Sequence, residues 1–409
     1  MKSKLGQYII FSEKVFAVLS VLWITGGVDT KFLAFIAYPT TVFFLLIRWK
    51  KTIWKLIQEY FFWIYVVFIM LSVLWSADFG ESLYMSLKLI GTILIGLSLG
   101  VRYSTKEQLQ ILVWAFGIAA ILSLFYCLFL PQKGVMIGGE LEGAWKGIYS
   151  HKNAFGRTMV FSTMIFLLQA ISNKQYKFLL WSGVALSFTL VILSNSKTSL
   201  VILLTLLAIF PLYRALCWSY SWLIPFLIIV VFSIGIAILF FVTQLESILT
   251  TLGKDVTLSG RIPLWELVIA KISERPWLGF GYGGFWTGWN GESGDIWRIE
   301  TWEPPSAHNG LLDICLSIGL VGAVLAVIVF VTTFLRSLNY LRQTRSIDGL
   351  WPLWFLTLLV LSNITESTLN SRSIMWTFYS AIVISTHKKN ISFDNFPDLE
   401  SQPKPKIIT

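Results

Sequence analysis

The sequence predicts an all-α polytopic membrane protein with about 12 transmembrane helices and one large outward-facing loop. Three observations predict it. Hydrophobic residues make up 56% of the 409 and charged residues 13%, against about 25% charged in a soluble domain. Mean hydropathy is +0.71. Apolar runs of about 17–25 residues, each long enough to cross a bilayer as a helix, recur along the whole chain.

The runs lie near 14–29, 32–48, 60–75, 84–101, 110–130, 155–171, 178–194, 198–213, 221–243, 308–335, 351–365 and 372–387. The first is the weakest, because Gly26, Gly27 and Asp29 crowd its end. It has no small-residue cleavage site and further spans follow it, so no cleavable signal peptide is expected. These boundaries imply a single transmembrane domain over 1–389, with a hydrophilic loop at 244–307 between the ninth and tenth spans. A polar tail at 390–409, with three prolines, is expected to be disordered.

Lysine and arginine orient the chain. With Lys2 and Lys4 in the cytoplasm, every second connection should be basic. Those connections hold Arg48, Lys50, Lys51 and Lys55; Arg102 and Lys106; Lys174 and Lys177; Arg214; Arg336, Arg342 and Arg345; and Lys388 and Lys389. Both termini are therefore expected on the cytoplasmic side. The net charge of +10 reflects this anchoring, and no nucleic-acid partner is expected. Cys127, Cys217 and Cys315 lie in or beside apolar segments and read as small core residues.

The outward face carries cations that orientation does not require. Lys152, Arg157, Lys197, Arg261 and Arg372 each lie at or near an expected helix end, beside polar residues. One such cation alone reads as a snorkelling side chain, but the set looks like an anion site. The unusual polar residues fall in separate places along the chain. Tyr149-Ser150-His151-Lys152-Asn153 leads into a helix with Gly156 and Arg157. Ser194-Asn195-Ser196-Lys197-Thr198 is a corner between two helices with almost no loop. Ser259-Gly260-Arg261 precedes Trp265-Glu266, and Ile262–Ile272 has helical periodicity. His308-Asn309 stands at the mouth of an apolar helix, with Gly319 and Gly322 further along. Asn363-Ile364-Thr365-Glu366-Ser367, with Asn370 and Arg372, lies between the last two spans.

Lysine and arginine near helix N-termini suit a phosphate or pyrophosphate. A neutral histidine beside them could take a proton from an attacking hydroxyl, and Glu366 could orient a basic group or a sugar hydroxyl. The competing structural readings are a helix-capping His308, an Arg261–Glu266 ion pair, an interfacial Lys152 and a merely buried Glu366. No metal or other cofactor is expected, because one His near one Asn is not a ligand set. Gly279-Phe280-Gly281-Tyr282-Gly283-Gly284 matches a dinucleotide fingerprint but lacks the strand–turn–helix context, and reads as a tight turn. The loop is rich in tryptophan (Trp265, Trp277, Trp286, Trp289, Trp297, Trp302). Such rings can lie at a lipid surface or stack on sugars.

These residues resemble the O-antigen ligase and Wzy-type polymerase superfamily. His308-Asn309, nine residues, then Gly319-x-x-Gly322 matches the marking motif. Gly147-x-x-x-His151-Lys152-Asn153-x-x-Gly156, Ser194-x-Ser196-Lys197-Thr198, Ser259-Gly260-Arg261-x-x-x-Trp265 and Pro276-Trp277-Leu278-Gly279-x-Gly281 look like the ExoQ-type exopolysaccharide polymerase branch. Leu71-Ser72, Trp75-Ser76-x-Asp78 and Glu366-Ser367 fit as well. The pieces keep their order from about residue 70 to 380.

The resemblance implies a metal-independent, inverting glycosyltransferase of GT-C-type architecture in the bacterial inner membrane, with its site facing the periplasm. Its donor would be a glycan on undecaprenyl pyrophosphate and its acceptor a glycan or lipid. A chain-length regulator and a flippase are implied partners. Carried over by position, Arg261 and His308 would be catalytic. Arg261, Lys197, Lys152 and Arg157 would bind pyrophosphate, and His151, Asn153, Asn309 and Glu366 would line the cavity. Gly319 and Gly322 would let helices pack closely. Lys197 stands where many ligases have arginine, which favours a polymerase over a ligase to lipid A–core or protein. A small-solute carrier of bicarbonate type is the alternative of another class. Against it stand the charge-poor span interiors and the absence of any sign of broken helices.

Overall fold

A computed structural model describes residues 2–26, 31–219, 221–222, 224–226, 261–300, 302–369 and 373–386. The expected span at 221–243 and the polar tail at 390–409 lie almost or wholly outside the described residues, as do Ser259, Gly260, Asn370 and Arg372. The described chain is helical: α1 (Lys2–Ile24), α2 (Lys31–Ile47), α3 (Trp49–Gln58), α4 (Tyr60–Leu71), α5 (Phe79–Arg102), α6 (Thr105–Phe129), a single turn α7 (Pro131–Gly134), α8 (Lys152–Ser172), α9 (Lys177–Leu193), α10 (Lys197–Ala215), α11 (Arg261–Glu274), the short α12 (Ser293–Trp297), α13 (Gly310–Thr344), α14 (Trp351–Thr365) and α15 (Ile374–Ser385).

Six of these stretches are long and apolar enough to cross a membrane: Phe79–Arg102, Thr105–Phe129, Lys152–Ser172, Lys197–Ala215, Gly310–Thr344 and Ile347–Thr365. A seventh is added if the bent pair α3 and α4 is one span. The protein is therefore a polytopic α-helical membrane protein, but the expected count of about 12 is not reached among the described residues. Some of the expected runs fold as shorter helices: α9 has 17 residues and α15 has 12. The basic connection before the run at 60–75 is helical as well and turns a corner into it. The α3 and α4 axes meet at 88°, and Glu59 at the bend is buried and paired with Arg336 of α13.

Polar caps start the helices. Asp78 accepts from the Glu81 N–H at 2.9 Å to start α5. Ser104 and Glu107 form a reciprocal capping box on α6. The core is aromatic at its centre, where Phe116, Phe161, Trp351, Phe355 and Phe378 meet at centroid separations of 4.9–6.4 Å. The central α8 buries residues on every face. α5 and α15 touch backbone to backbone at Gly96, where a Cβ would stand 2.1 Å from the Thr377 carbonyl oxygen.

The 35-residue α13 is two helices joined at a break. Gly319 has φ 67° and ψ −174°, backbone angles foreign to a helix and to any residue with a Cβ. The break sits nine residues after Gly310, about 14 Å along the axis. Its freed groups are taken up by Pro276–Phe280. The Leu320 N–H donates to the Pro276 carbonyl at 2.8 Å, the Val321 N–H to Trp277 at 3.3 Å, and the Phe280 N–H to the Leu316 carbonyl at 2.9 Å. A Cβ on Gly319 would lie 2.1 Å from the Trp277 oxygen. Two expectations are corrected here. Gly319 and Gly322 do not form a helix-packing face: Gly319 breaks the helix to seat a loop, and Gly322 packs on Ile318 of its own chain segment. A broken helix is also present, so that part of the case against a carrier does not stand.

The glycine-rich turn is locked into the bundle as well. Gly279, Gly281 and Gly283 all have positive φ. The Trp75 indole donates to the Leu278 carbonyl at 2.9 Å, the Ala77 N–H to Phe280 at 2.9 Å, and the Tyr282 N–H to Ser72 Oγ at 3.0 Å. The Leu71–Asp78 motif thus exists to hold this turn, and Tyr282 joins the main core.

Candidate active site

Glu366 is the centre of the site. It caps the C-terminal end of α14. One carboxylate oxygen lies 3.6 Å from Arg261 Nη2 and accepts from Asn153 Nδ2 at 3.4 Å; the other lies 3.4 Å from His308 Nδ1. Burial alone would push this carboxyl up. The contact with His308 and the charges of Arg157 and Arg261 outweigh it and hold the group below its ordinary value. The Arg261–Glu266 pair considered from sequence does not form; Arg261 faces Glu366, and Glu266 is exposed.

His308 is fixed from all sides. Its φ of 49° is left-handed, a conformation costing a non-glycine residue roughly 1–2 kcal/mol. The residue before it is clamped at both ends. The Ala307 N–H donates to both oxygens of Asp313 at 3.2 and 3.1 Å, and the Ala307 carbonyl accepts from the Trp265 indole at 2.9 Å. Trp265 lies one turn after Arg261 on α11, so one short helix sets both the arginine and the histidine. The His308 N–H donates to Ser306 Oγ at 3.4 Å. Neither imidazole nitrogen makes a well-aligned hydrogen bond, and both are buried. At 3.4 Å the Glu366 contact is an ion-pair distance. Trp302 lies over the imidazole, centroids 5.6 Å apart and planes 38° apart.

The other expected residues take several roles. Asn309 is a structural cap: its Oδ1 accepts from the Leu311 and Leu312 N–H groups at 3.1 and 3.2 Å, and its Nδ2 reaches the Ile364 carbonyl at 3.5 Å. His151 caps α8 through Nδ1, which accepts from the Asn153 N–H at 3.2 Å. Burial pushes its pKa down, with Glu366 opposing and Lys152 assisting. Lys152 Nζ donates to the Asn195 carbonyl at 3.1 Å, bracing the corner between α9 and α10. Asn153 also accepts from Ser196 Oγ at 3.1 Å, and Ser196 caps α10. Arg157, half-buried one turn into α8, acts on Glu366 through its charge. Lys197 is exposed at the first turn of α10, and no ion pair joins it to the cluster among the described residues.

The segments expected to share a face therefore do meet. The first turns of α8, α10, α11 and α13 gather around Glu366, and their dipoles add positive potential to that of Arg157, Arg261 and Lys152. An anion with several oxygens fits such an end. Among the described residues no group of three or more His, Cys, Asp or Glu is arranged around a common point.

Sequence reasoning missed Asp313, which is 1% exposed and also accepts from the Trp286 indole at 2.8 Å. The signal was an acid in the first turn of an otherwise apolar helix. The loop tryptophans divide. Trp265, Trp286 and Trp297 use their indole N–H groups to lock the loop, the last by donating to the Pro304 carbonyl at 3.0 Å. Trp277, Trp289 and Trp302 remain exposed.

Over part of its length the chain is similar to a known family. Residues 182–327 match the O-antigen ligase family. The match takes in Lys197, Arg261, Trp265, the Pro276–Gly281 turn, His308-Asn309 and Gly319, and ends before Glu366. The resemblance read from the motifs is thereby shown. The exopolysaccharide production protein ExoQ of Rhizobium meliloti (strain 1021) is 32% identical over 99 residues, which is 24% of this chain and 23% of that protein. The similarity thus spans about a quarter of the relative's length.

Proposed function

We propose that the protein is a metal-independent, inverting glycosyltransferase that polymerises undecaprenyl-pyrophosphate-linked repeat units into an exopolysaccharide or O-antigen chain on the periplasmic face of the inner membrane. The observation that carries this reading is the Arg261–Glu366–His308 cluster at the meeting point of helix N-termini. The family match and the similarity to ExoQ support it.

The chemistry follows from the atoms. An acceptor hydroxyl attacks the anomeric carbon as the bond to the pyrophosphate oxygen breaks, and the leaving group takes the electron pair. Negative charge grows on the pyrophosphate, where Arg261, with Arg157 and the helix N-termini, would stabilise it. His308 would accept the hydroxyl proton at Nε2 while Glu366 holds Nδ1 in its protonated form. The acceptor oxygen approaches opposite the leaving group, so the configuration inverts. Asn153 would fix the second Glu366 oxygen, keeping the carboxylate turned to both partners.

A ligase with another acceptor uses the same site and differs only in what supplies the hydroxyl. A small-solute carrier is disfavoured, because the polar groups gather at one end and the backbone freed at Gly319 is filled by apolar Pro276–Leu278. The test gives purified protein in nanodiscs undecaprenyl-pyrophosphate-linked repeat units. A ladder of longer lipid-linked glycans is expected. Transfer seen only after adding a core lipid or protein acceptor would make it a ligase. Solute uptake by proteoliposomes, with no transfer at all, would replace the reading.

A further inference from the structure

We infer that Asp313, with Trp286, is the positioning element for His308; the inference rests on the glycosyltransferase reading above. The buried carboxyl of Asp313 has no part in the chemistry derived so far. It is not needed as a helix cap, because Asn309 already takes the Leu311 and Leu312 N–H groups. It reaches back beyond that cap to the Ala307 N–H, and it also faces the Trp286 indole and the Ser367 hydroxyl. A buried acid is a costly acceptor where a neutral side chain would satisfy one backbone N–H. Converging donors give it a reason: they hold the Ser306–Ala307 peptide, one peptide before His308. With the Ala307 carbonyl held by Trp265, both peptides of Ala307 are anchored, and the left-handed φ of His308 is supported from outside. Imidazole direction then depends on Glu366 and the Trp302 ring. Asp313 thus works through His308, and Trp286 works through Asp313, as supporting groups outside a reacting centre commonly do.

The chain has three histidines, His151, His308 and His387, so histidine-selective isotope labelling of the full-length protein in nanodiscs reports on each, with His308→Gln giving the assignment. Asp313→Asn and the milder Trp286→Phe are compared with wild type. The His308 imidazole resonances should shift or broaden in both variants while those of His151 stay in place. Turnover should fall roughly 10- to 100-fold with the donor KM unchanged, and the double variant should be no worse than Asp313→Asn alone. Unmoved His308 resonances with wild-type turnover would overturn the inference. So would displacement of His151 and His308 together with loss of the thermal transition in Trp286→Phe, which marks a general structural role. A folded wild type without turnover would defeat the glycosyltransferase reading, and the resonances would still decide the positioning.

Discussion

Glu366 touches both groups assigned to the reaction, so its replacement acts on two at once. Glu366→Gln should lower turnover by roughly 100-fold or more, as loss of a group orienting a general base does, and should also loosen Arg261. Its folded pKa lies below the ordinary 4.5. The carboxylate therefore favours the folded state above about pH 4.5, and this contribution is lost as pH falls further. Thermal unfolding followed from pH 7 to pH 3.5 should show an acid-side decline that is shallower in Glu366→Gln; identical declines would contradict the ion-pair geometry. Lys197, exposed and unpaired with the cluster, should tolerate Lys197→Ala with a smaller loss than Arg261→Ala in the same turnover assay. At this scale the sequence was readable wherever a polar residue stood out against an apolar background, as His308, Arg261 and Glu366 do. Roles were less readable. His151 and Asn309 proved to be helix caps, because a cap and a cavity residue look alike in a string of letters. Asp313 passed unnoticed because an acid in a helix's first turn is ordinary.

The decisive element is α13, broken at Gly319 and mended by Pro276–Phe280. Gly319→Ala combines a left-handed φ with a Cβ 2.1 Å from the Trp277 oxygen. It should destabilise the protein by roughly 2–4 kcal/mol through strain and overpacking, seen as a lowered unfolding midpoint in nanodiscs. Gly322→Ala meets only the Ile318 side chain and should shift the midpoint less. An equal effect at the two positions would argue against the break. The break was hidden in the sequence, since a long apolar run with two glycines reads equally well as one continuous helix. Its partner was visible as Pro276-Trp277-Leu278-Gly279-x-Gly281, but nothing local joins that string to Gly319. Short elements were clearer: α11 follows its periodicity, and the α9–α10 corner is as tight as its residues require.

For the whole molecule, the basic residues expected in the cytoplasm can be located in the fold. Arg102 ends α5, Lys174 lies between α8 and α9, Arg214 is in the last turn of α10 and Arg336 lies within α13; Arg102 and Arg336 are paired with Glu13 and Glu59. Among the described residues the span count came out lower because hydropathy alone does not separate a span from a bent or shortened helix. If the basic end is cytoplasmic, a membrane-impermeant maleimide applied to spheroplasts should label Lys197→Cys and not Lys174→Cys, in a background without native cysteines; the reverse pattern would place the site in the cytoplasm. The central claim is that the arginine–glutamate–histidine cluster is where glycan transfer occurs. Its most direct test is the rate of lipid-linked glycan extension by folded, nanodisc-bound wild type, Arg261→Ala and His308→Ala. The account predicts extension by wild type and a loss of roughly 100-fold or more in each variant, and extension at wild-type rate by either variant would contradict it.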